Sequence, residues 1–135
     1  MAPVMYSDAT PGRVNGKTVQ VIICANEDEM LYSFREHKGH EGIKCTPVET
    51  YQQTLVHDHD KTYYSYGSRH QECLAHVLRY LQDSIDNEPE LTWNLKMQDF
   101  LTSLIHSYKT ANSLFTEEFI CSKEHEYSKI TSLAE

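Results

Sequence analysis

One feature limits the folds open to this chain: its hydrophobic period changes once. The run Val19-Gln20-Val21-Ile22-Ile23-Cys24-Ala25 is β-branched and nearly continuous, which predicts a buried strand. Beyond Ser68 the apolar residues recur at helical spacing instead. Cys73, Leu74, Val77, Leu78, Leu81 and Ile85 share one face of a 3.6-residue period. Strands followed by helices imply an α+β fold rather than alternating βαβ units.

Turn and cap chemistry sets the order of elements. Pro3 to Tyr6 is a short apolar run ending at Ser7-Asp8, and Thr10-Pro11-Gly12 and Asn15-Gly16 are turn sequences. Asn15-Gly16 just before the β-branched run predicts a hairpin. Met30 to Arg35 reads as a third strand, and His37 to Gly42 as a polar loop. Thr46-Pro47-Val48-Glu49 has the form of a capping box opening a short helix. Thr54 to Asp58 then reads as a fourth strand. Asn87-Glu88-Pro89-Glu90 interrupts the first long helix. Two further apolar stripes follow, one on Met97, Leu101, Leu104, Ile105 and Tyr108, the other from about Thr116 through Phe119, Tyr127, Ile130 and Leu133. The division expected is 1–67 for the sheet region and 68–135 for the helical region. Three strands, a short helix and a fourth strand are the order in which a ribonuclease-H-like mixed sheet begins.

The net charge of −8 argues against a self-sufficient nucleic-acid-binding domain, because phosphate neutralisation supplies most of the affinity of such domains. An acidic metal site whose basic partners lie elsewhere remains compatible with it. No basic region followed by an apolar run marks a secretory signal, and no stretch has membrane-spanning length. Cys24, Cys45, Cys73 and Cys121 are scattered, and are expected to be reduced thiols, most of them packing residues, in a cytoplasmic protein.

Four groups bear on chemistry. Asp8 sits at the end of the first predicted strand and Asp58 at the end of the fourth. If those strands are neighbours, both carboxylates project from one sheet edge. Two ionised carboxylates held close repel each other unless a cation lies between them. Magnesium takes such oxygen ligands, and two ions about 4 Å apart serve phosphoryl transfer. The ordinary alternative is a pair of turn or cap residues. Cys73 and His76, with Arg79 one turn on, share a helical face. They read either as half of a zinc site, with His57, His59 or His70 recruited, or as a packed thiol beside a satisfied histidine. In His57-Asp58-His59-Asp60, strand alternation sends the histidines to one side and the carboxylates to the other. Tyr63, Tyr64 and Tyr66 with Arg69 and His70 form either a base-stacking surface or a packing cluster.

Several runs together carry a resemblance: Ser7-Asp8-Ala9-Thr10 with Arg13 to Lys17, Arg35 to His40, Leu55 to Lys61, and His70 to Leu81. In order and spacing they resemble the insertion-sequence-66 family of transposases over most of residues 5–108. The resemblance implies a ribonuclease-H-like catalytic domain whose carboxylate triad binds magnesium or manganese and cuts and joins DNA. Asp8 would match the first acidic residue and Asp58 the second. Cys73 and His76 match a signature in a helical insertion, with Arg79 a possible supporting residue. The third acidic residue, a glutamate on a late helix after a further strand, is expected beyond Glu135, as are the family's DNA-binding regions outside this stretch. The expected activity is therefore that of a transposase fragment: weak metal binding, and no DNA cleavage alone. The alternatives are an interaction or inhibitory protein that pairs with itself or with a full-length transposase, and a small zinc-binding module.

Overall fold

A computed structural model describes residues 2–112 and 114–135. Contacts divide the chain into two compact units, Met1–His76 and Val77–Glu135.

The first unit is a mixed sheet of five strands in the order β3-β2-β1-β4-β5. β1 (Val4–Val14), β2 (Lys17–Ala25) and β3 (Met30–Arg35) form an antiparallel meander. β4 (Thr54–His57) and β5 (Arg69–Glu72) join it in parallel, β4 beside β1 and β5 beside β4. The expected hairpin is present. Asn15 and Gly16 both take positive φ, 49° and 79°, as a two-residue hairpin turn requires, and Val14 pairs with Lys17 across it.

Three local expectations are corrected. β1 does not turn at Thr10-Pro11-Gly12. It continues to Val14, because antiparallel pairing with β2 holds that segment along its whole length. Within β1 only Val4–Tyr6 pair with β4, so Pro11 lies where β1 has one paired side and its missing N–H is tolerated. The predicted helix start at Thr46 is a 3₁₀ helix, Pro47–Thr50, without a reciprocal capping box. The Thr46 hydroxyl donates to the Ile43 carbonyl at 2.6 Å, and the Glu49 carboxylate accepts from the Cys45 N–H at 2.7 Å. Finally, Arg69–Glu72 is a strand rather than the start of the helical region. The sheet therefore holds a further strand beyond β4, where the sequence reading had the chain end before one. Its polar residues carry no strand signal of their own. It is made by register, with Thr54 to His57 paired to Arg69 to Glu72.

Alternation in β2 buries Gln20, Ile22 and Cys24 on one face. That face packs with Ile43, Val48, Tyr51, Leu55 and Tyr63 into the core of the unit. Ile43 comes from a single-turn helix, α1 (His40–Ile43), inside the segment expected to be only loop. Gly67 leads into β5 at φ 67°, and a Cβ there would sit 2.9 Å from the Gln53 carbonyl oxygen. Only Cys24 of the four thiols lies in a core. Cys45 and Cys121 are exposed and Cys73 is half-buried, so most of the cysteines are not packing residues.

The helical stripes form α2 (Leu74–Asn87), α3 (Trp93–Thr110) and α4 (Glu117–Thr131). α4 is capped by Thr116, whose hydroxyl accepts from the Phe119 N–H at 3.2 Å. In the second unit Leu81, Met97, Phe100 and Ile130 make a small core. Among the described residues no helix is long and apolar enough to cross a membrane.

Candidate functional site

Strand register brings the two aspartates together. In the parallel pairing of β1 with β4, Val4 faces Thr54, Met5 faces Leu55 and Tyr6 faces Val56. Two residues further along each strand stand Asp8 and Asp58, at the same level. Asp8 is in mid-strand, since β1 runs on along β2, but it lies just beyond the last β1–β4 pair. Asp58 directly follows β4. Both line one cleft of about 230 Å³, together with Tyr6, Ile23, Val56 and Met30. Its walls are otherwise largely apolar, so the carboxylates are its anionic groups.

Backbone donors orient both carboxylates. The Ala9 N–H donates to Asp8 Oδ1 at 2.8 Å, and the Asp60 N–H donates to Asp58 Oδ1 at 2.9 Å. Each carboxylate keeps oxygen lone pairs for another partner. In the core nearby, Tyr63 is buried and its phenol is pushed up to about 12, chiefly by burial, with the Asp58 and Asp8 charges adding to it against a hydrogen bond from Ser7. That phenol stays neutral under ordinary conditions and belongs to the core of the unit rather than to the lining of the cleft.

Cys73 and His76 line the same cleft. Cys73 precedes the first turn of α2. Its N–H donates to the His57 carbonyl at 2.6 Å, and the His76 N–H donates to the Cys73 carbonyl at 3.0 Å. The pair is thus anchored to the end of β4 by backbone bonds. Arg79 is exposed on α2 and falls in the second unit. Among the described residues no three of His, Cys, Asp and Glu are arranged to hold a metal ion.

The tyrosine cluster resolves mainly as packing. Tyr63 is in the core, and Tyr66 packs against it with its hydroxyl 2.9 Å from His40 Nδ1. Tyr64 is partly exposed and donates to Glu72 at 2.5 Å. Glu72 also bonds His59 Nδ1 at 2.7 Å, and these partners, Tyr64 first, hold its carboxyl below the usual range. β4 ends at His57, so the strand alternation expected over His57–Asp60 does not extend to Asp58, His59 and Asp60. His57 is 1% exposed, whereas His59 is solvent-facing. Sequence reasoning missed the pairing of His57 with His70, which depends on β5. The only sequence signal was a histidine in an otherwise apolar strand.

A family model described as transposase IS66 family matches residues 1–133. The chain belongs to the IS66 family of transposases. The match covers both units and extends past the sequence resemblance to the last helix. Neither the curated proteins nor the solved structures searched gave a match.

Proposed function

We propose that the sheet unit is part of the metal-dependent catalytic region of a DNA-transposing enzyme, of ribonuclease-H-like type, with Asp8 and Asp58 as two of its acidic ligands. The observation carrying this reading is that both carboxylates, each two residues past the last β1–β4 pair, line one cleft. Such a donor set suits a hard divalent cation. Magnesium and manganese take carboxylate oxygens and keep several waters, so two protein ligands suffice for weak binding. A thiol and an imidazole prefer softer ions, which makes Cys73 and His76 better suited to shaping the cleft wall than to completing a magnesium site.

In this reading Asp8 and Asp58 would hold the cation in a solvent-open cleft whose other walls are largely apolar. When bound, the cation lowers the pKa of an attacking water or hydroxyl and stabilises the leaving oxygen of a phosphodiester. The chain's own residues supply position. Ala9 and Asp60 N–H groups fix one oxygen of each carboxylate. The partner implied is DNA, bound in a fuller assembly, since the net charge of −8 gives this stretch little affinity for phosphate. Cleavage would require a third acidic ligand beside Asp8 and Asp58, because triad carboxylates act as a unit.

The test is a manganese titration of the intact chain followed by NMR. Paramagnetic broadening centred on the Asp8 and Asp58 amides, abolished in both Asp8→Asn and Asp58→Asn, is the expected result. Broadening that survives both substitutions, or none at millimolar metal in folded protein, would remove the reading.

A specific observation favours a second role in self-association. Strand β3 is a sheet edge and exposes Met30, Leu31, Tyr32 and Phe34, at 49–68%. An apolar edge strand is a template for pairing with another chain. Sedimentation of wild type against a Tyr32→Lys, Phe34→Lys variant tests this. A monomer in both at high concentration would refute it.

A further inference from the structure

We infer that His57 is a positioning residue for Asp58, fixing the peptide that carries this carboxylate through its buried ring, which is itself hydrogen-bonded to the half-buried His70. The inference rests on the reading of Asp58 as a cation ligand and adds residues outside the cleft lining to that site.

The hydrogen-bond inventory determines the arrangement. His57 Nδ1 lies 2.5 Å from the Asp58 carbonyl oxygen. A carbonyl only accepts, so Nδ1 carries the hydrogen and donates. In a neutral ring this leaves Nε2 as an acceptor. Nε2 is 3.1 Å from His70 Nδ1, so His70 donates to it from β5. The tautomers of both rings are thereby set. The His57 ring cannot swing away, because Tyr63 stacks on it at 5.2 Å and Tyr64 meets it edge-on at 4.7 Å. The main chain is held as well, since the His57 carbonyl accepts from the Cys73 N–H.

Asp58 is therefore gripped from both sides. Its carbonyl is held by a buried ring, and its Oδ1 by the Asp60 N–H. Without the first grip, the peptide after Asp58 is free to rotate at the point where β4 ends, and the carboxylate moves with it. Ligand groups need support of this kind, and removing an outer partner of a metal ligand typically costs about 10–100-fold in affinity.

The experiment uses the whole chain and three forms of it. His57→Phe keeps the ring and its stacking but removes both nitrogens. His57→Asn keeps a side-chain N–H near the Nδ1 position and so can still donate to the Asp58 carbonyl. Manganese affinity is read from paramagnetic broadening at Asp8 and Asp58. The Asp60 amide exchange rate reports the grip without any metal, and long-range ¹H–¹⁵N spectra report the His57 tautomer. Expected are an Nδ1–H tautomer in the unaltered chain, a loss of about 10–100-fold in manganese affinity for His57→Phe, and recovery of most of it in His57→Asn. Exchange at Asp60 should quicken about tenfold in His57→Phe, as befits loss of one buried hydrogen bond. Unchanged affinity and exchange in His57→Phe would overturn the inference, as would an Nε2–H tautomer in wild type. If wild type binds no manganese, the cation reading fails by itself, and the exchange rate and tautomer still decide whether His57 holds Asp58. If His57→Phe does not fold, the wild-type tautomer and the His57→Asn exchange rate decide it.

Discussion

The two units reach order by different means. In Met1–His76, strands far apart in sequence hold one another, and Val48 and Leu55 are fully closed from solvent, with Tyr51 nearly so. In Val77–Glu135 each helix satisfies its own backbone, and the core residues keep 6–8% exposure. That unit leaves Leu95, Leu114, Ile120 and Leu133 in solvent, and an apolar groove of about 520 Å³ runs along Phe100, Leu104, Phe115, Phe119 and Tyr127. Charge does not favour a DNA surface in either unit. The first carries seven Lys and Arg against ten Asp and Glu, and the second five against ten. The lesson lies in rigidity. Non-local strand pairing fixes side chains to within the tolerance that metal ligands need, and both carboxylates lie in the unit built that way.

The contrast is broken most severely by emptying the sheet core. Leu55→Ala is expected to cost about 2–5 kcal/mol, read by denaturant unfolding, because the side chain is fully enclosed. A loss well under that range would mean that the sheet core is no tighter than the helical one. Gly67→Ala comes next, at about 1–3 kcal/mol. It forces a side chain into positive φ against the Gln53 carbonyl, and loss of the β4–β5 amide protection should accompany it. In the helical unit Thr116→Ala is expected to cost about 1 kcal/mol from the lost cap of α4, seen as faster exchange at Phe119.

The smallest effect is electrostatic. Hydrogen bonds from Tyr64 and His59 hold Glu72 below the usual carboxylate range. The stabilisation from this group is therefore complete above its unfolded pKa and is lost as pH falls through the lower, folded value. Tyr64→Phe should raise the Glu72 pKa towards the ordinary value and flatten that part of the acid unfolding curve. An unmoved Glu72 titration would show that Tyr64 is not its main partner.

Much of this was legible because local chemistry agreed with the fold. The Asn15-Gly16 turn, the β-branched run of β2 and the three helical stripes each predicted the element observed. Register was legible only in part. Val4 to Tyr6 and Thr54 to Val56 look like strands, but nothing in them says that they pair in parallel, and the common level of Asp8 and Asp58 follows from that pairing. β5 was invisible for a related reason. Arg69-His70-Gln71-Glu72 has no strand composition and becomes a strand only because Leu55 and His57 lie beside it. The His57–His70 contact depends on that strand, so it was hidden too. Thr10-Pro11-Gly12 misled in the opposite direction, since turn chemistry was overridden by a continuous antiparallel partner.

The central claim is that Asp8 and Asp58 together hold a divalent cation. The most direct measurement is an anomalous difference map from crystals of the chain soaked in manganese. The account predicts a peak bridging or adjoining the two carboxylates at oxygen–metal bonding distance, absent in Asp58→Asn. Manganese sites found only elsewhere on the surface, with the Asp8–Asp58 cleft empty, would contradict it.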